Sequence, residues 1–318
     1  MSDIEVKVLS KRQEAEDIVS FELARADGGH LPGFSAGAHV DVHAPGGIIR
    51  QYSLCNDASE QHRYRIAVLR DPSSRGGSIA MHDAVHEGDT IRISAPRNHF
   101  PLVHSGKTIL FAGGIGVTPL LCMAHRLHSI NSEFEMHYCS RSPERTAFAE
   151  EVSTTGFQQR VHFHFDSGAT EQRLNIDEVL DGPKEDVQIY VCGPAGFIDY
   201  VTSSAKRLGW PAAQVHLEYF GAAPQDAPGD KAFKVTIAST GATYDVPAEK
   251  SVAQALQEQG IEILMSCEQG VCGTCITRVL AGQCDHRDLF FSEEEKLAND
   301  QFTPCCSRAK SDVLVLDL

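Results

Sequence analysis

The chain has 318 residues, of which 42% are hydrophobic, and a formal net charge of −15. Taking about 100–200 residues per domain, this length predicts two or three domains. The negative charge argues against a nucleic-acid partner, because a phosphate backbone binds a basic face. The polar N-terminal segment is not a signal peptide, and no apolar run approaches the roughly 20 residues that span a bilayer. We therefore expect a cytoplasmic protein with no membrane partner.

The spread of acidic residues is typical of a soluble surface; the alternative is an acidic patch that steers a basic protein partner.

Residues 1–102 form the first predicted domain. Short runs of alternating apolar and polar residues are separated by Gly, Pro and Asp turns, which indicates an antiparallel β-barrel or sandwich. We take the barrel as the prediction. Its strands are VSFELAR, HVDVHA, RQYSLC, RYRIAVLR and DTIRISAP. A short helix is predicted over residues 78–85, after the glycines of SSRGGS.

Residues 103–223 form the second predicted domain, in which strands and helices alternate. This rhythm predicts a doubly wound α/β domain with a parallel sheet. The predicted strands are TILFA, EMHYCS, VHFHFD, VQIYVC and QVHLEYF. The predicted helices are PLLCMAHRLHSI, ERTAFAEEV, NIDEVL and FIDYVTSSAKRL.

Residues 224–231 are rich in Ala, Pro, Asp and Gly, which predicts a linker before a third domain over residues 232–318. FKVTIAST and ATYDVPA predict a hairpin, SVAQALQEQG predicts a helix, and VLVLDL predicts a closing strand. Ser292 and Glu295 predict a capping box for a further short helix. A hairpin, a crossing helix and a closing strand are typical of a small β-grasp domain.

Four cysteines of the third domain have the spacing of a plant-type 2Fe–2S site. Cys267, Cys272 and Cys275 form a C-x4-C-x2-C run, and Cys305 lies thirty residues further along the chain. We expect one tight loop to supply three thiolates and a distant strand to supply the fourth. In a cytosolic chain, such cysteines indicate metal binding rather than disulfides.

Other interpretations of these cysteines are weaker. Structural zinc usually shows two separated C-x2-C pairs, whereas here a single pair extends backwards by C-x4-C. A Rieske centre needs two histidine ligands, and the C-x-H of Cys284 and His286 has its matching C-x-x-H in another domain. Gly270 and Gly273 let the backbone wrap closely, and we expect the N–H groups of these two glycines to donate to the sulfurs. Spacing alone does not separate Cys305 from Cys306 as the fourth ligand; we take Cys305 as the prediction.

Two glycine turns follow predicted strands of the second domain. GGIGVTP follows TILFA and contains Gly113, Gly114, Gly116, Thr118 and Pro119. We expect Thr118 to be the N-cap of the next helix and Pro119 its first residue, which would direct free N–H groups at a phosphate. The second turn ends VQIYVC at the same edge of the sheet and consists of Cys192, Gly193 and Pro194. Either turn alone fits a tight connection, but together they predict a nucleotide site.

The first domain contains a further candidate site. The predicted strand RQYS carries Arg50, Tyr52 and Ser53, and the predicted helix opens with Gly76, Gly77 and Ser78. Each motif alone fits a solvated charge or a turn. Together they offer a guanidinium, an aromatic hydroxyl and free helix N–H groups, which suit a cofactor with a phosphate and an aromatic ring.

The motifs RQYSLCN, RGGS, GGIGVTP, CGP and CEQGVCGTC…DHRD…CCSRA occur in this order along essentially the whole chain. In this set and order the chain resembles reductases of the phthalate dioxygenase reductase type, whose flavin, NAD and ferredoxin domains follow the same order. The resemblance implies FMN, NADH and a 2Fe–2S cluster as cofactors. It also implies a Rieske non-haem iron oxygenase as the protein partner.

By position, the resemblance implies that Arg50, Tyr52 and Ser53 bind flavin and that Gly76, Gly77 and Ser78 hold its phosphate. The two glycine turns match those that bind the NAD pyrophosphate and lie beside the nicotinamide. Phe220 matches an aromatic residue that packs against the flavin ring; the alternative is a core residue at a domain interface.

For the coenzyme, the residues and the resemblance favour different molecules. Ser140, Arg141 and Ser142 end the second strand of the α/β domain, where the adenine ribose would lie. An Arg there accommodates a 2′-phosphate and favours NADP. The resembling reductases generally use NADH, and NADH is our prediction.

The three expected cofactors form a series. Nicotinamide gives up two electrons as hydride, an iron–sulfur cluster takes one, and flavin does both. We therefore expect the reductase component of an aromatic oxygenase or O-demethylase, with no catalytic acid or base of its own. One alternative is a redox-sensing flavo-iron–sulfur protein, which would turn over little NADH with cytochrome c. The other is a non-specific electron carrier, which would serve unrelated oxygenases equally.

Overall fold

The computed structural model describes residues 3–221 and 229–318, which fall into two compact units, Met1–Phe220 and Gly221–Leu318. The first unit contains a six-stranded and a five-stranded sheet, and the second contains a five-stranded sheet and a two-stranded ladder. The linker predicted over residues 224–231 lies mostly outside the described residues. No helix among the described residues has the length and apolar character that a membrane crossing requires.

The six-stranded sheet of the first unit is antiparallel. Its strands are β1 (Ile4–Ala15), β2 (Ile18–Arg25), β3 (His39–Ala44), β4 (Ile48–Ser53), β5 (Tyr64–Leu69) and β6 (Thr90–Ile93). Their spatial order is β4-β3-β6-β1-β2-β5. Just after β4, Leu54 forms an antiparallel bridge to Ile66 of β5, so the two outer strands also meet. Helix α1 (Gly77–Ala84) follows β5.

Strand β1 is not among the predicted strands. It pairs with β2 along its length and with β6 through its first residues. Only Val6 and Val8 of β1 are buried, and the residues from Ser10 to Glu14 are polar. Because so few of its side chains face the core, β1 lacks the apolar alternation by which a strand is recognised.

The second sheet of this unit is parallel, as predicted. Its strands are β7 (Lys107–Gly113), β8 (Glu133–Ser140), β9 (Val161–Phe165), β10 (Val187–Gly193) and β11 (Val215–Tyr219), in the spatial order β11-β10-β7-β8-β9. Its helices are α2 (Val117–Ser129), α3 (Ala149–Thr154), α4 (Ile176–Val179) and α5 (Ala195–Arg207). Apolar side chains cover both faces of this sheet, which explains the nearly continuous apolar runs of β7 and β10.

The helix predicted over residues 144–152 is wrong in its first half. Residues Pro143–Arg145 form a 3-10 turn, and α3 begins only after Phe148. Phe148 is buried with a φ of 62°, in the left-handed region. A left-handed residue ends a right-handed helical path, and burial of this ring stabilises the unfavourable backbone.

The sheet of the second unit has the strands β12 (Phe233–Ile237), β13 (Thr243–Val246), β14 (Thr277–Ala281), β16 (Gln301–Phe302) and β18 (Val313–Leu316). Their spatial order is β13-β12-β18-β14-β16, and the separate ladder pairs β15 (Cys284–Asp285) with β17 (Arg308–Ala309). Helices α6 (Val252–Gln257) and α7 (Glu293–Ala298) both begin with capping boxes, at Ser251 and Ser292. The capping box predicted for Ser292 and Glu295 is therefore confirmed. Strands β14 to β17 are too short or too irregular to have been predicted.

Candidate functional site

Strand β4 and the start of α1 bring the two flavin motifs together. Arg50 and Tyr52 lie on β4, and Gly76 precedes α1 with a φ of 86°. A methyl group at Gly77 would lie 2.6 Å from Cγ of Arg50, so the Arg50 side chain lies directly over this turn. A guanidinium beside the N-terminus of an eight-residue helix favours a phosphate at this place.

The remaining residues of this group are more enclosed. Ser53 is buried, and burial raises the pKa of the Tyr52 hydroxyl above its usual range. The Ser78 hydroxyl lies 3.0 Å from that of Ser74 and accepts a hydrogen bond from the backbone N–H of Asp71, at 3.2 Å. Ser78 therefore also stabilises the loop that leads into α1.

The first glycine turn differs from its prediction. Gly114–Gly116 form a 3-10 turn, α2 begins at Val117, and its N-cap is Gly116. Thr118 is the second residue of the helix, and its hydroxyl donates to the carbonyl of Ile115 at 3.1 Å. The prediction that Thr118 is the N-cap and Pro119 the first helical residue is therefore wrong. The 3-10 turn begins the helical path earlier, and Pro119 occupies the third position of α2.

The two glycine turns contact each other at the carboxyl edge of the parallel sheet. A methyl group at Gly116 would lie 2.2 Å from the carbonyl oxygen of Cys192, and one at Gly193 would lie 2.9 Å from Cα of Gly113. Strands β7 and β10 are hydrogen-bonded neighbours, which places the two turns side by side. Larger residues at these positions would push the turns apart. Pro194 then caps α5, and its carbonyl accepts the N–H of Phe197 at 2.9 Å.

A buried carboxyl that the sequence analysis missed lies beside these turns. Glu218 of β11 is adjacent in register to Cys192, and the Ser53 hydroxyl donates to its carboxyl group. Its Oε2 is shielded from solvent and has no hydrogen-bond partner among the described residues. Burial raises the pKa of Glu218 to about 8, although the bond from Ser53 opposes this shift. The available signal was a carboxylate within the otherwise apolar and aromatic strand HLEYF.

Phe220 and Arg141 are both accessible. Phe220 directly follows β11 and is 41% exposed, so within the first unit it is not a core residue. Arg141 is exposed just after β8, while the adjacent Ser140 is buried and its hydroxyl lies 2.6 Å from that of Thr146. The turn predicted near the adenine ribose is therefore held by the buried hydroxyls of Ser140 and Thr146, and the guanidinium of Arg141 is exposed.

The four predicted cluster ligands converge in the second unit. Cys267, Cys272 and Cys275 lie in the loop between α6 and β14, and Cys305 lies between β16 and β17. The Cys305 thiol contacts those of Cys267 and Cys275, and the Cys267 thiol contacts that of Cys272. All four residues are buried. A set of four thiols from one loop and one distant turn fits a 2Fe–2S cluster.

Backbone groups also converge on these sulfurs. The N–H of Gln269 donates to Sγ of Cys267 and that of Thr274 to Sγ of Cys272, each at 3.4 Å. The contacts of Cys267 with Cys272 and Cys305 lower the pKa of Cys267 and raise those of its two partners, because one thiolate accepts hydrogen bonds from the other thiols. The N–H groups of Gly270 and Gly273 were expected to donate to the sulfurs, whereas the donors here are their neighbours Gln269 and Thr274.

The segment of the DHRD motif packs behind the cysteine loop. A methyl group at Gly273 would lie 2.5 Å from the Phe290 ring, and one at Gly270 would lie 2.4 Å from Sγ of Cys306. The N–H of Leu289 donates to the carbonyl of Gly270 at 3.0 Å. Gly270 has a φ of 71° and Gly273 a φ of 68°, so any side chain at either position would be strained as well as crowded.

Cys306 has surroundings different from those of Cys305. Its sulfur lies 3.3 Å from the Thr303 hydroxyl and 3.9 Å from that of Ser307. It also contacts Cys305, but Cys305 alone of the two contacts Cys267 and Cys275. The geometry thus separates two neighbours that spacing could not.

Comparison with known proteins agrees with these sites. Residues 110–203 match the model of the oxidoreductase NAD-binding domain, and residues 235–310 match that of the 2Fe-2S iron-sulfur cluster binding domain. The chain is 54% identical over 317 residues to a vanillate O-demethylase oxidoreductase of Pseudomonas putida, covering 99% of this chain and 100% of that one. It is 41% identical over 317 residues to a phthalate dioxygenase reductase of Burkholderia cepacia, covering 99% of this chain and 97% of that one.

A solved structure of phthalate dioxygenase reductase, described as a modular structure for electron transfer from pyridine nucleotides to [2Fe-2S], superposes with a TM-score of 0.78 at 40% identity. The superposition covers 100% of this chain and 98% of that structure. The chain belongs to the phthalate dioxygenase reductase family. Membership of this family confirms the predicted resemblance, and the two domain models confirm the predicted NAD and 2Fe–2S domains.

The contact between the glycine turns predicts how this member of the phthalate dioxygenase reductase family responds to one added methyl group. Gly116→Ala would drive the turn away from the carbonyl of Cys192 and misdirect the N–H groups at the start of α2. We expect the KM for NADH to rise about tenfold, which corresponds to about 1.4 kcal/mol of binding. The matched control is Gly33→Ala, since a methyl group at Gly33 meets nothing within 4 Å. Equal KM values for the two variants would contradict the assigned role of the turn.

The buried carboxyl predicts a pH dependence of stability. The folded pKa of Glu218 is raised to about 8, above its ordinary value of 4.5, so the folded state retains a proton that the unfolded state releases. Its contribution to stability is therefore largest below pH 4.5 and is lost as the pH rises towards 8. The loss is at most about 1.4 kcal/mol per pH unit.

Glu218→Gln keeps an acceptor for Ser53 but cannot ionise. Between pH 5 and 8 we expect the melting temperature of the wild-type protein to fall more steeply than that of the variant, as measured by calorimetry. Parallel curves would show that Glu218 is ionised in the folded protein.

Proposed function

We propose that this protein is the reductase component of a Rieske non-haem iron oxygenase system and passes electrons from NADH through FMN and a 2Fe–2S cluster to the oxygenase. The observation that carries the proposal is the closure of the cysteine set, in which the Cys305 thiol meets those of Cys267 and Cys275. This one-electron site is joined in a single chain to an NAD-binding domain. The relative named as a vanillate O-demethylase oxidoreductase matches this chain along its full length, across the NAD-binding domain and the 2Fe–2S domain.

We propose three domains, at residues 1–102, 103–223 and 232–318, with a linker at 224–231. The meeting of β4 and β5 through Leu54 and Ile66 supports a closed β-barrel for the first. In the third, the hairpin of β12 and β13, the crossing helix α6 and the parallel pairing of β12 with β18 support a β-grasp fold.

Within the first domain, Arg50 and the turn of Gly76, Gly77 and Ser78 would hold the FMN phosphate. The support is the direct packing of Arg50 on Gly77 at the N-terminus of α1. Tyr52 and Ser53 would contact the flavin from β4, and the exposed ring of Phe220 is available to cover it. A phosphate held by one guanidinium and one helix end suits the single phosphate of FMN.

Within the second domain, the turn from Gly113 to Pro119 would hold the NADH pyrophosphate at the N-terminus of α2. This turn comprises Gly113, Gly114, Gly116, Thr118 and Pro119. The neighbouring turn of Cys192, Gly193 and Pro194 would lie beside the nicotinamide. The contact between the two turns supports both assignments, because it directs them to one place at the sheet edge.

A bound flavin would supply the exchange between the two-electron hydride donor NADH and the one-electron cluster. The chain itself binds and orients these groups. Glu218 holds a proton on a carboxyl enclosed beside Ser53 and Cys192, and burial also raises the pKa of the Cys192 thiol. Burial favours the uncharged form of both groups, so the pocket would present a neutral, hydrogen-bonding wall. Such a wall suits a reaction in which a hydride moves without an ionised side chain beside it.

We propose a cytoplasmic location for the protein. The partner that we propose is an aromatic Rieske oxygenase or O-demethylase. The support is that similar chains are named as the oxidoreductase of vanillate O-demethylase and the reductase of phthalate dioxygenase.

Absorption spectroscopy of the purified protein, before and after NADH, tests the function. We expect flavin and iron–sulfur bands that bleach with NADH, and rapid reduction of cytochrome c. Little turnover with cytochrome c would favour a redox sensor instead, and equal rates with unrelated oxygenases would favour a non-specific carrier. Extraction of FAD, or bleaching only with NADPH, would overturn the corresponding cofactor assignment.

The contrast between the adjacent cysteines gives a paired prediction. We expect Cys305→Ser to lose most of the 2Fe–2S absorption, because it removes the thiol that meets Cys267 and Cys275. We expect Cys306→Ser to keep it, because the Cys306 sulfur lies against Thr303. Iron content and the visible spectrum measure both results. Loss of the cluster from Cys306→Ser with retention in Cys305→Ser would reverse the ligand assignment.

A further inference from the structure

One carboxylate joins the two sheets of the first unit. Glu151 lies on α3 beside the parallel sheet, and Arg65 lies on β5 of the antiparallel sheet. Two nitrogens of the Arg65 guanidinium donate to the two oxygens of Glu151, at 2.6 Å and 2.7 Å. The Arg65 side chain is only 11% exposed and that of Glu151 30% exposed, so water screens this pair weakly.

On the flavin side, Arg65 is bonded to the continuation of the strand that carries the flavin motif. The N–H of Cys55 donates to the carbonyl of Arg65 at 2.9 Å, and the N–H of Arg65 donates to the Asn56 side chain at 2.9 Å. Cys55 and Asn56 follow β4 within RQYSLCN, after Tyr52 and Ser53. A displacement of Arg65 is therefore transmitted to the flavin-binding strand through backbone hydrogen bonds.

On the nucleotide side, the same carboxylate contacts α2. Nε2 of His125 lies 3.6 Å from Oε1 of Glu151, and the His125 ring packs edge-on against Phe157 at 5.2 Å. His125 lies two turns along the helix whose first turn follows Gly116. Because a helix moves as a rigid rod, a shift at His125 also shifts the turn proposed to bind the pyrophosphate.

Phe148, the left-handed residue before α3, also contacts Arg65. The Arg65 guanidinium carbon lies 4.9 Å from the centroid of the Phe148 ring, within range of a cation–π interaction. Burial acts to raise the pKa of Glu151, but contacts with His125 and Arg65 outweigh it and lower this pKa to about 2. The Glu151 carboxylate is therefore ionised throughout the neutral range.

We propose that Glu151 is a positioning residue for hydride transfer. By binding Arg65 and His125 at once, it holds the flavin-binding strand and the pyrophosphate-binding helix at the separation that the nicotinamide and flavin rings require. The proposal rests on the proposed function, because it concerns the geometry of that reaction. Hydride transfer is sensitive to such geometry, since a misplacement of about 1 Å costs on the order of a hundredfold in rate.

The interface has other contacts that should keep a Glu151 variant folded. Arg145 donates to Glu16 at 2.6 Å, and the N–H of Glu16 donates to the carbonyl of Glu144 at 2.9 Å. These contacts join the β1–β2 turn to the segment before α3. They involve neither the flavin strand nor α2, so they hold the sheets together without setting the alignment of the two cofactor sites.

The chain supplies a matched control in the adjacent residue. Glu150 also bridges the two sheets, through a 3.3 Å pair with Arg12, but its side chain is 86% exposed and that of Arg12 65% exposed. Exposed pairs of this kind contribute little. Glu150→Gln and Glu151→Gln therefore remove the same charge from neighbouring positions, and only the second breaks the bridge between the cofactor sites.

The test is anaerobic stopped-flow mixing of NADH with the full-length holoprotein in three forms: wild type, Glu151→Gln and Glu150→Gln. For Glu151→Gln we expect the rate constant of flavin reduction to fall about tenfold or more, with a weaker charge-transfer band between nicotinamide and flavin. Flavin content and the cluster spectrum should stay unchanged. Glu150→Gln should stay within about twofold of wild type. Glu151→Asp, which keeps the charge, should recover part of the rate.

Three outcomes would overturn the proposal: an unchanged rate in Glu151→Gln, an equal fall in Glu150→Gln, or a lower melting temperature with the rate and the charge-transfer band intact. If Glu151→Gln does not retain flavin, His125→Gln provides the second variant, since it leaves the pair with Arg65 in place. It should slow flavin reduction by a smaller factor, and an unchanged rate would again refute the proposal. Failure of NADH to reduce the wild-type flavin would instead refute the proposed function.

Discussion

The approach of Gly116 to the carbonyl of Cys192 is the constraint on which the first unit depends. It requires strands β7 and β10 to be neighbours and their following turns to contact each other without side chains between them. Once that contact is made, the direction of α2 is set, and with it the position of His125. The pairing of β10 with β11 places Cys192 next to Glu218, whose carboxyl accepts a hydrogen bond from the Ser53 hydroxyl of the antiparallel sheet. Cys192 thus lies between the first glycine turn and the contact that reaches the strand of the candidate flavin site.

The surroundings of two carboxyl groups in this unit shift their pKa values in opposite directions. Glu218 is enclosed without a cation, so burial raises its pKa to about 8 and it holds a proton. Glu151 is also partly buried, but Arg65 and His125 keep it ionised. The neutral group lies in the proposed reaction pocket, where a fixed negative charge would oppose the approach of electron density. The ionised group lies on α3, where its charge binds Arg65 of β5 and contacts His125 of α2.

In the second unit, a different pair of glycines also allows a close approach between two segments. Gly270 and Gly273 are pressed against Cys306 and Phe290, and each has a positive φ that only glycine adopts easily. This tight wrapping directs the N–H groups of Gln269 and Thr274 at cysteine sulfurs. It also explains why the DHRD segment accompanies the cysteine motif along the chain, because Leu289 and Phe290 form the support against which the loop is folded.

The sequence by itself determined the order of the blocks, the parallel sheet, the cysteine set and both glycine turns. These features depend on local spacing or on the period of apolar residues, which are visible along the chain. Only the tertiary structure decided that Cys305 rather than Cys306 meets the other thiols, that Glu218 is a buried acid, and that Glu151 joins two sheets. It also corrected the N-cap of α2 and revealed β1. Each of these depends on which distant residues become neighbours. A side chain's charge state and partner are set by that packing, and residue type and spacing do not encode it.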